Sequence, residues 1–180
     1  MGTPRASSRA RCARSSWPPD VALKFQPPHP FPHLSLPDLE GAERPFVKAW
    51  ATRPALFVFG HRDCVTTRMT LPFVDRIHRR RPPDTSVIAI LQDEAESVRE
   101  LRHDLELDLP VRLEADPYPL ATEMGLRSVP TVMLVGTNGL IARTCEGFKR
   151  DELEAMARAI GMAGPLFTEA DAGVPARRPG

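Results

Sequence analysis

The sequence predicts a single α/β domain with a mixed central sheet and helices on both of its faces. Two continuous apolar runs, residues 55–59 and 86–91, are bounded by turn-forming residues, which is typical of buried parallel strands. Later in the chain, a Thr137-Asn138-Gly139 turn joins two more apolar runs and indicates an antiparallel hairpin. Alternating strands and helices that end in a hairpin predict a sheet with both parallel and antiparallel strands.

Apolar spacing and bounding residues predict the individual elements. In chain order these are a short strand and turn at 34–41, a helical turn or short helix at 45–52, a strand at 55–59, a helix at 64–80, a strand at 86–91, a helix at 93–107, a strand at 111–113, a helix at 118–126, hairpin strands at 131–135 and 140–144, and a helix at 149–160. Pro72 is expected to kink the 64–80 helix without ending it, because the apolar pattern resumes beyond it.

The chain of 180 residues is long enough for one domain with a sizeable core and two tails. Prolines are densest toward both ends, which predicts poor order there. We expect a disordered, Pro- and Arg-rich tail at 1–32, a folded domain at 33–162 and a flexible tail at 163–180. The start of the chain is rich in Arg and Ser, a composition that also suits a transit peptide or a start codon assigned too early.

Charge and hydropathy exclude several classes of partner. The formal net charge is +1, which argues against nucleic acid and anionic membrane surfaces. No run approaches the ~18 apolar residues of a membrane-spanning helix. The scattered cysteines Cys12, Cys64 and Cys145 do not suit a disulfide framework. These features predict a cytoplasmic protein in a reducing compartment, and none of them specifies an oligomeric state.

The strongest functional signal is a single cysteine at the predicted start of a helix. Cys64 follows the strand at 55–59 after a short polar turn. At a helix N-terminus, unpaired backbone N–H groups and the positive end of the helix dipole favour the thiolate form, which is the nucleophilic form of cysteine. Thr67 stands three residues on, where a dithiol redox motif carries its second cysteine.

Several landmarks occur in an order and spacing that resemble a known fold family. They are the strand and turn at 34–41, the strand leading into Cys64, Arg68, Pro72, 107–111, Asp116, 125–131, the Asn138-Gly139 turn and Gly147. Together they resemble the thioredoxin-like fold over residues 33–162. The nearest branch is the TlpA-type and AhpC/TSA (redoxin) group.

This resemblance implies roles for individual residues. Cys64 matches the attacking cysteine of the family, and Thr67 replaces the resolving cysteine of its CxxC motif. Pro130 matches a proline that follows a cis peptide bond beside the active thiol. A cis bond after Val129 would turn the Val129 backbone toward an incoming chain, which could pair with it like an added strand. The expected substrate-binding residues are Val129, Pro130, His61 and Arg62.

The sequence also departs from the family's patterns next to the cysteine. Asp63 stands where the TlpA-type pattern has Trp, and His61 stands where the peroxiredoxin signature has Thr or Ser. The Asp63 carboxylate opposes formation of a thiolate, whereas Arg62, Arg68 and a protonated His61 favour it. We expect the cations to prevail, so Arg68 is grouped with Cys64 and Thr67 as a catalytic residue.

With one cysteine in the motif, the chain is predicted to be a monothiol oxidoreductase. Cys64 would form a mixed disulfide or a sulfenic acid, and the Thr67 hydroxyl would donate a hydrogen bond to its thiolate. An external thiol, such as glutathione or a partner thioredoxin, would resolve the intermediate, so no bound cofactor is expected. The substrate would be a protein or small-molecule disulfide, or a peroxide.

Alternatives to this reading stay open at the level of sequence. The chain could be a non-catalytic thioredoxin-like module that holds a peptide strand beside Pro130, or a one-cysteine peroxidase. Cys145 lies two residues before Gly147 on one face of a strand, where a resolving role is conceivable but a cysteine without a role is favoured. No metal site is expected, because His61, Asp63 and Cys64 crowd into four residues with no second cluster.

Overall fold

The computed structural model describes residues 27–180. Its strands are β1 (His29–Pro30), β2 (Ser35–Pro37), β3 (Glu43–Pro45), β4 (Ala55–Gly60), β5 (Val87–Leu91), β6 (Val111–Leu113), β7 (Thr131–Val135), β8 (Leu140–Glu146), β9 (Phe148–Lys149) and β10 (Arg177–Arg178). Its α-helices are α1 (Val65–Arg80), α2 (Ala95–Asp104), α3 (Pro119–Met124) and α4 (Arg150–Ala159), with 3-10 turns at Phe46–Ala49 and Glu169–Asp171. The greater part of the predicted N-terminal tail, with Cys12, lies outside the described residues.

Six of these strands form one mixed sheet in the order β1-β8-β7-β4-β5-β6. β4, β5 and β6 run parallel to each other, whereas β7 is antiparallel to β4, and β8 is antiparallel to both β7 and β1. Gly139 has φ +75° in the turn between β7 and β8, a conformation that glycine adopts without steric cost. The mixed sheet and its terminal hairpin are therefore confirmed.

Side chains of the central strand β4 alternate between two buried layers. Leu56 and Val58 pack against apolar faces of α1, α2 and α4. Phe57 and Phe59 pack on the other side of the sheet, against α3 and an aromatic cluster from the start of the described chain. Helices thus cover both faces of the sheet, as predicted.

Helix α1 begins where the sequence places it, with Cys64 as its N-cap residue. Pro72 lies inside α1, and the helix continues for two more turns to Arg80. The other helices are shorter than predicted by one to three residues at their ends. At the end of α3 the reason is Gly125, whose left-handed backbone (φ +63°) terminates the helix.

The N-terminal boundary of the domain lies earlier than residue 33, which corrects the predicted tail at 1–32. His29 and Pro30 pair with Ile141 and Leu140 at the edge of the sheet, where a proline is tolerated because its missing N–H faces outward. Phe31 is fully buried, and its ring stacks on Phe57 with centroids 4.6 Å apart. This aromatic contact joins residues 29–31 to the core.

Residues 163–180 are packed on the domain, which corrects the prediction of a flexible tail. Leu166 is fully buried, and Asp171 accepts a 2.7 Å hydrogen bond from the Arg76 guanidinium. That hydrogen bond lowers the pKa of Asp171 to about 2. Strand β10 pairs with β9. Composition alone predicted flexibility here, because the contacts that dock the segment come from distant residues.

Candidate functional site

Cys64 lies between the turn that follows β4 and the first residue of helix α1. Its sulfur accepts a hydrogen bond from the Thr67 backbone N–H at 3.4 Å, as an N-cap side chain does. The thiol also donates to the Val129 carbonyl oxygen at 3.2 Å. Only 2% of Cys64 is exposed to solvent. The sulfur therefore lies between a helix N-terminus and the loop before β7.

Thr67 contacts the Cys64 sulfur through its backbone N–H and not through its hydroxyl, contrary to the prediction. Its Oγ1 lies 3.5 Å from the His61 backbone nitrogen, from which it accepts a hydrogen bond. Its Cγ2 packs against Gly60, where an added Cβ would come within 2.6 Å of it. The fully buried Thr67 side chain thus fixes the turn after β4, while its N–H, which any residue but proline supplies, reaches the sulfur of Cys64.

The loop that carries Val129 and Pro130 faces Cys64, as the resemblance implies. The Val129–Pro130 peptide bond is cis. The Pro130 carbonyl accepts a 2.8 Å hydrogen bond from Gly147 N–H, and this links the loop to the end of β8. The Val129 carbonyl is left facing the thiol.

His61 is held by the polypeptide on both ring nitrogens. Nδ1 accepts from the Asp63 backbone N–H at 3.2 Å, and Nε2 lies 3.4 Å from the Asp93 carboxylate. Asp93 also accepts a 2.9 Å hydrogen bond from the Arg62 backbone N–H. Burial raises the pKa of Asp93 above its ordinary value. Asp93 therefore organises the turn, a role that the sequence analysis missed.

The two arginines expected to act on Cys64 form ion pairs with helix α2 instead. Arg62 Nη1 lies 2.9 Å from Glu100, and Arg68 Nη2 lies 3.6 Å from Asp104. Each guanidinium charge is thus compensated by a carboxylate on another element. The prediction that Arg62 and Arg68 tune the thiol is not supported by their contacts.

Cys145 is a second free thiol in a different environment. It lies in β8 opposite Val132, it is fully buried among apolar side chains, and its thiol lies 3.6 Å from the Gly147 carbonyl. Burial raises the pKa of Cys145 to about 11. A protonated, inaccessible thiol is a poor resolving nucleophile, so these contacts favour a packing role for Cys145.

The chain resembles several solved protein structures. No protein-family model and no curated protein matches the sequence. A secreted disulfide oxidoreductase of Mycobacterium tuberculosis, homologous to E. coli DsbE, matches with TM-score 0.61 and 14% identity over 71% of this chain and 96% of that one. The thioredoxin domain of a Bacteroides vulgatus thiol-disulfide oxidoreductase matches with TM-score 0.61 and 15% identity over 72% and 94%. StoA from Bacillus subtilis matches with TM-score 0.58 and 15% identity over 72% and 98%.

The chain has the thioredoxin-like fold. This confirms the fold that the resemblance implied. In these three comparisons the aligned region covers nearly the whole of the other protein's chain, so the domain described here spans the full fold. The single-cysteine mechanism and the finer redoxin assignment stay predictions.

A cleft of about 700 Å³ opens beside the Cys64 turn of this thioredoxin-like domain. It lies where the parallel strands β4, β5 and β6 end, and its walls include His61, Asp93, Glu114 and Tyr118. The carboxyl ends of parallel strands are the usual place for ligand sites in α/β folds. Polar residues directly after β5 and β6 were the sequence signal that could have located this cleft.

Glu114 is the most buried acid of the cleft. It has no exposed surface, and it accepts hydrogen bonds from the Ala121 N–H at 2.7 Å and from Gln92 Nε2 at 3.1 Å. Burial raises the pKa of Glu114 above its ordinary value. These contacts join β5, β6 and α3, so Glu114 and Gln92 stabilise the wall of the cleft.

Residues 27–180 contain neither a candidate metal site nor a candidate membrane-spanning helix. Within that range, no set of three or more His, Cys, Asp and Glu side chains is placed to hold a metal ion. None of the helices in the same range is long and apolar enough to cross a membrane.

Proposed function

We propose that the protein is a thiol-dependent oxidoreductase in which Cys64 is the nucleophile. The observation that carries the proposal is the position of the Cys64 sulfur. It accepts a hydrogen bond from the Thr67 backbone N–H at the N-terminus of α1 and lies 3.2 Å from the Val129 carbonyl oxygen. The sulfur thus lies at a helix N-terminus, beside backbone N–H donors, and the facing loop offers backbone to a substrate chain. Two of the three solved structures above, from Mycobacterium tuberculosis and Bacteroides vulgatus, are named as disulfide oxidoreductases, which supports the same chemistry.

In the proposed reaction, the Cys64 thiolate attacks one sulfur of a substrate disulfide. A Cys64–substrate disulfide forms, and the other substrate sulfur leaves as a thiolate that takes up a proton. An external thiolate then attacks the substrate sulfur of the mixed disulfide and regenerates Cys64. A second external thiol completes the reduction of the substrate and is released as the oxidised dimer. Glutathione and a partner thioredoxin are the proposed reductants, because Thr67 provides no resolving sulfur.

Peroxide reduction is the secondary activity of the same proposal. The Cys64 thiolate would attack a peroxide oxygen, forming Cys64 sulfenic acid and releasing an alcohol or water. One external thiol would condense with the sulfenic acid and release water, and a second would free Cys64. The reducing cytoplasm is the proposed compartment, because Cys64 and Cys145 are both free thiols.

The test is reaction of the reduced protein with glutathione disulfide, followed at each cysteine by mass spectrometry. We expect a mixed disulfide at Cys64 and none at Cys145. Added glutathione should remove the adduct. When a disulfide other than oxidised glutathione is the substrate, oxidised glutathione should be produced continuously. The Cys64→Ser variant is the matched control. If the adduct forms on Cys145 and Cys64 stays reduced, the proposed nucleophile is wrong.

A second candidate function is a non-catalytic module that binds a peptide strand beside Val129 and Pro130. The low exposure of Cys64, at 2%, favours this candidate, because a thiol that never meets a substrate has no redox role. Capture of partners by wild type and by Cys64→Ser separates the two functions. Partners that depend on Cys64 and elute with a reductant support the oxidoreductase, and partners retained equally by both proteins support the module.

A further inference from the structure

The last described residues of the chain run across the site that contains Cys64. We call residues 176–180 the strap. The Ala176 carbonyl accepts a 3.0 Å hydrogen bond from Arg150 N–H, at the start of α4. Arg177 and Arg178 then pair antiparallel with Lys149 and Phe148 of β9. The strap therefore approaches Cys64 alongside β9, which follows β8 in the chain after Gly147.

The end of the strap is held against both sides of the thiol. The Pro179 carbonyl accepts a 2.7 Å hydrogen bond from the Thr66 hydroxyl, two residues after Cys64. Gly180 lies so close to the opposite loop that a Cβ on it would come within 2.6 Å of the Val129 carbonyl oxygen. That oxygen is the one to which the Cys64 thiol donates. The strap thus bridges the helix start and the Val129 loop.

Gly147 shows how closely the strap is seated. A Cβ on Gly147 would come within 2.5 Å of the Arg178 carbonyl and 3.1 Å of the Gly180 nitrogen. Two glycines therefore allow backbone to approach backbone without an intervening side chain. An extended chain in such contact with the Val129 loop has the form expected of a bound peptide strand.

Cys64 is far less exposed than its neighbours in sequence. The residues on either side of Cys64 are open to solvent, with 58% of Val65 exposed and 78% of the Asp63 side chain exposed. Cys64 itself is 2% exposed. The loop is at the protein surface, and the thiol within it lies against the Val129 carbonyl, which the end of the strap also approaches.

We propose that the strap is an autoinhibitory segment that occupies the substrate groove, and that Cys64 reacts with polypeptide substrates only when the strap has left. The inference deepens the proposed function, on which its biological meaning rests. It also names the substrate class, which is an extended polypeptide segment that replaces the strap along the Val129 loop.

The strap is more weakly attached than the segment before it, so it can leave while the domain stays folded. Among residues 27–180, its one ion pair joins Arg177 to Asp151 at 3.1 Å, and both side chains are largely exposed, so salt screens it. Residues before the strap are held more firmly, by the Asp171 pair with Arg76 and by Phe167, whose ring packs on Phe73 with centroids 4.8 Å apart.

The test compares alkylation rates of Cys64 in the full chain, resolved by mass spectrometry. The variants are Gly180→Ala, which places a Cβ against the Val129 carbonyl, and Thr66→Val, which removes the hydroxyl that holds Pro179. Gly173→Ala is the matched control, because a Cβ on Gly173 meets nothing within 4 Å. We expect about a tenfold or greater rise in the rate with a bulky maleimide for both variants, because the reactive fraction increases. The control should match wild type.

Arg177→Asp provides an independent variant on the surface, which does not disturb the packed groove. It should also speed alkylation, and the double variant Arg177→Asp, Asp151→Arg should restore the wild-type rate by re-forming the ion pair with reversed charges. The proposal is overturned if Cys64 in the wild type is alkylated as fast as a cysteine in the unfolded chain. It is also overturned if none of the three single variants changes the alkylation rate.

Alkylation requires no redox partner, so its result is separable from that of the proposed function. If alkylation is faster in the strap variants but no glutathione adduct forms in them, the inhibitory role of the strap is supported and the oxidoreductase proposal is rejected. If the glutathione adduct forms equally fast in the wild type and in the strap variants, the oxidoreductase proposal is supported and the strap is not an inhibitor.

Discussion

The surroundings of Cys64 and Cys145 differ, although both thiols are buried and free. Cys64 caps a helix and accepts an N–H hydrogen bond. Cys145 lies near the end of β8 among apolar side chains, where burial raises its pKa to about 11. Cys64 is covered by a short segment whose contacts can break locally, whereas Cys145 is enclosed by the core itself. Burial by a removable strand and burial by a folded core have different consequences for reactivity.

The largest expected effect separates the two thiols by activity. Cys64→Ser should lower glutathione-dependent disulfide turnover by at least about a hundredfold, because serine is a far weaker nucleophile than a thiolate. Cys145→Ala should retain turnover within about threefold, because Cys145 contacts no part of the proposed reaction path. The measurement is the steady-state rate of glutathione-dependent disulfide reduction by each variant and by the wild type. Comparable losses in the two would remove the distinction between the thiols.

A second prediction concerns the alkaline stability that Cys145 confers. Its pKa is about 11 in the folded protein against an ordinary value of 9.0, so the folded state keeps the proton longer than the unfolded state. The stabilising effect is present below pH 9 and is lost as the pH rises toward 11. Between about pH 8 and about pH 10.5, wild type should lose about 2 kcal/mol of unfolding free energy from this group.

Urea denaturation of wild type and Cys145→Ala at those two pH values isolates the effect. Other groups that ionise in this range contribute equally to both proteins, so the difference between the two losses belongs to Cys145. Equal losses would mean that the thiol ionises in the folded protein as readily as in the unfolded chain.

The smallest expected effect tests which part of Thr67 acts on Cys64. Thr67→Val keeps the backbone N–H that reaches the sulfur and removes only a hydroxyl that accepts a 3.5 Å hydrogen bond from His61 N–H. Alkylation of Cys64 by iodoacetamide should change by less than about twofold, since the lost hydrogen bond is weak. Thr66→Val, one residue earlier, should raise the rate through the strap. A tenfold fall in Thr67→Val would instead assign the hydroxyl to the thiolate.

The sequence predicted the framework of the site better than its polar contacts. Strands at 111–113 and 131–135 and the helix that starts after Cys64 agree with the structure, because apolar periodicity and turn residues are local signals. The placement of Val129 opposite Cys64 followed from the resemblance. What a side chain contacts across the fold is not a local property. This is why Arg62 and Arg68 were assigned to the thiol although they pair with α2.

The ends of the domain were predicted least well, for a related reason. Proline-rich stretches were interpreted as tails, yet each contains residues that fit a distant surface. Phe31 fits the aromatic cluster, and Asp171 meets Arg76. Composition describes how a segment behaves alone, whereas docking depends on a surface that other parts of the chain provide.

The stacking of Phe31 on Phe57 also matters for any shortened version of the protein. A chain that starts at residue 33 would lack this ring, and Phe46, Trp50 and Phe57 would face water where the ring lies. Loss of a fully buried phenylalanine costs about 3–5 kcal/mol, which is a large part of the stability of a small domain. Trp50 is buried against Phe31, so a red shift of its fluorescence would report that the first strand has come away.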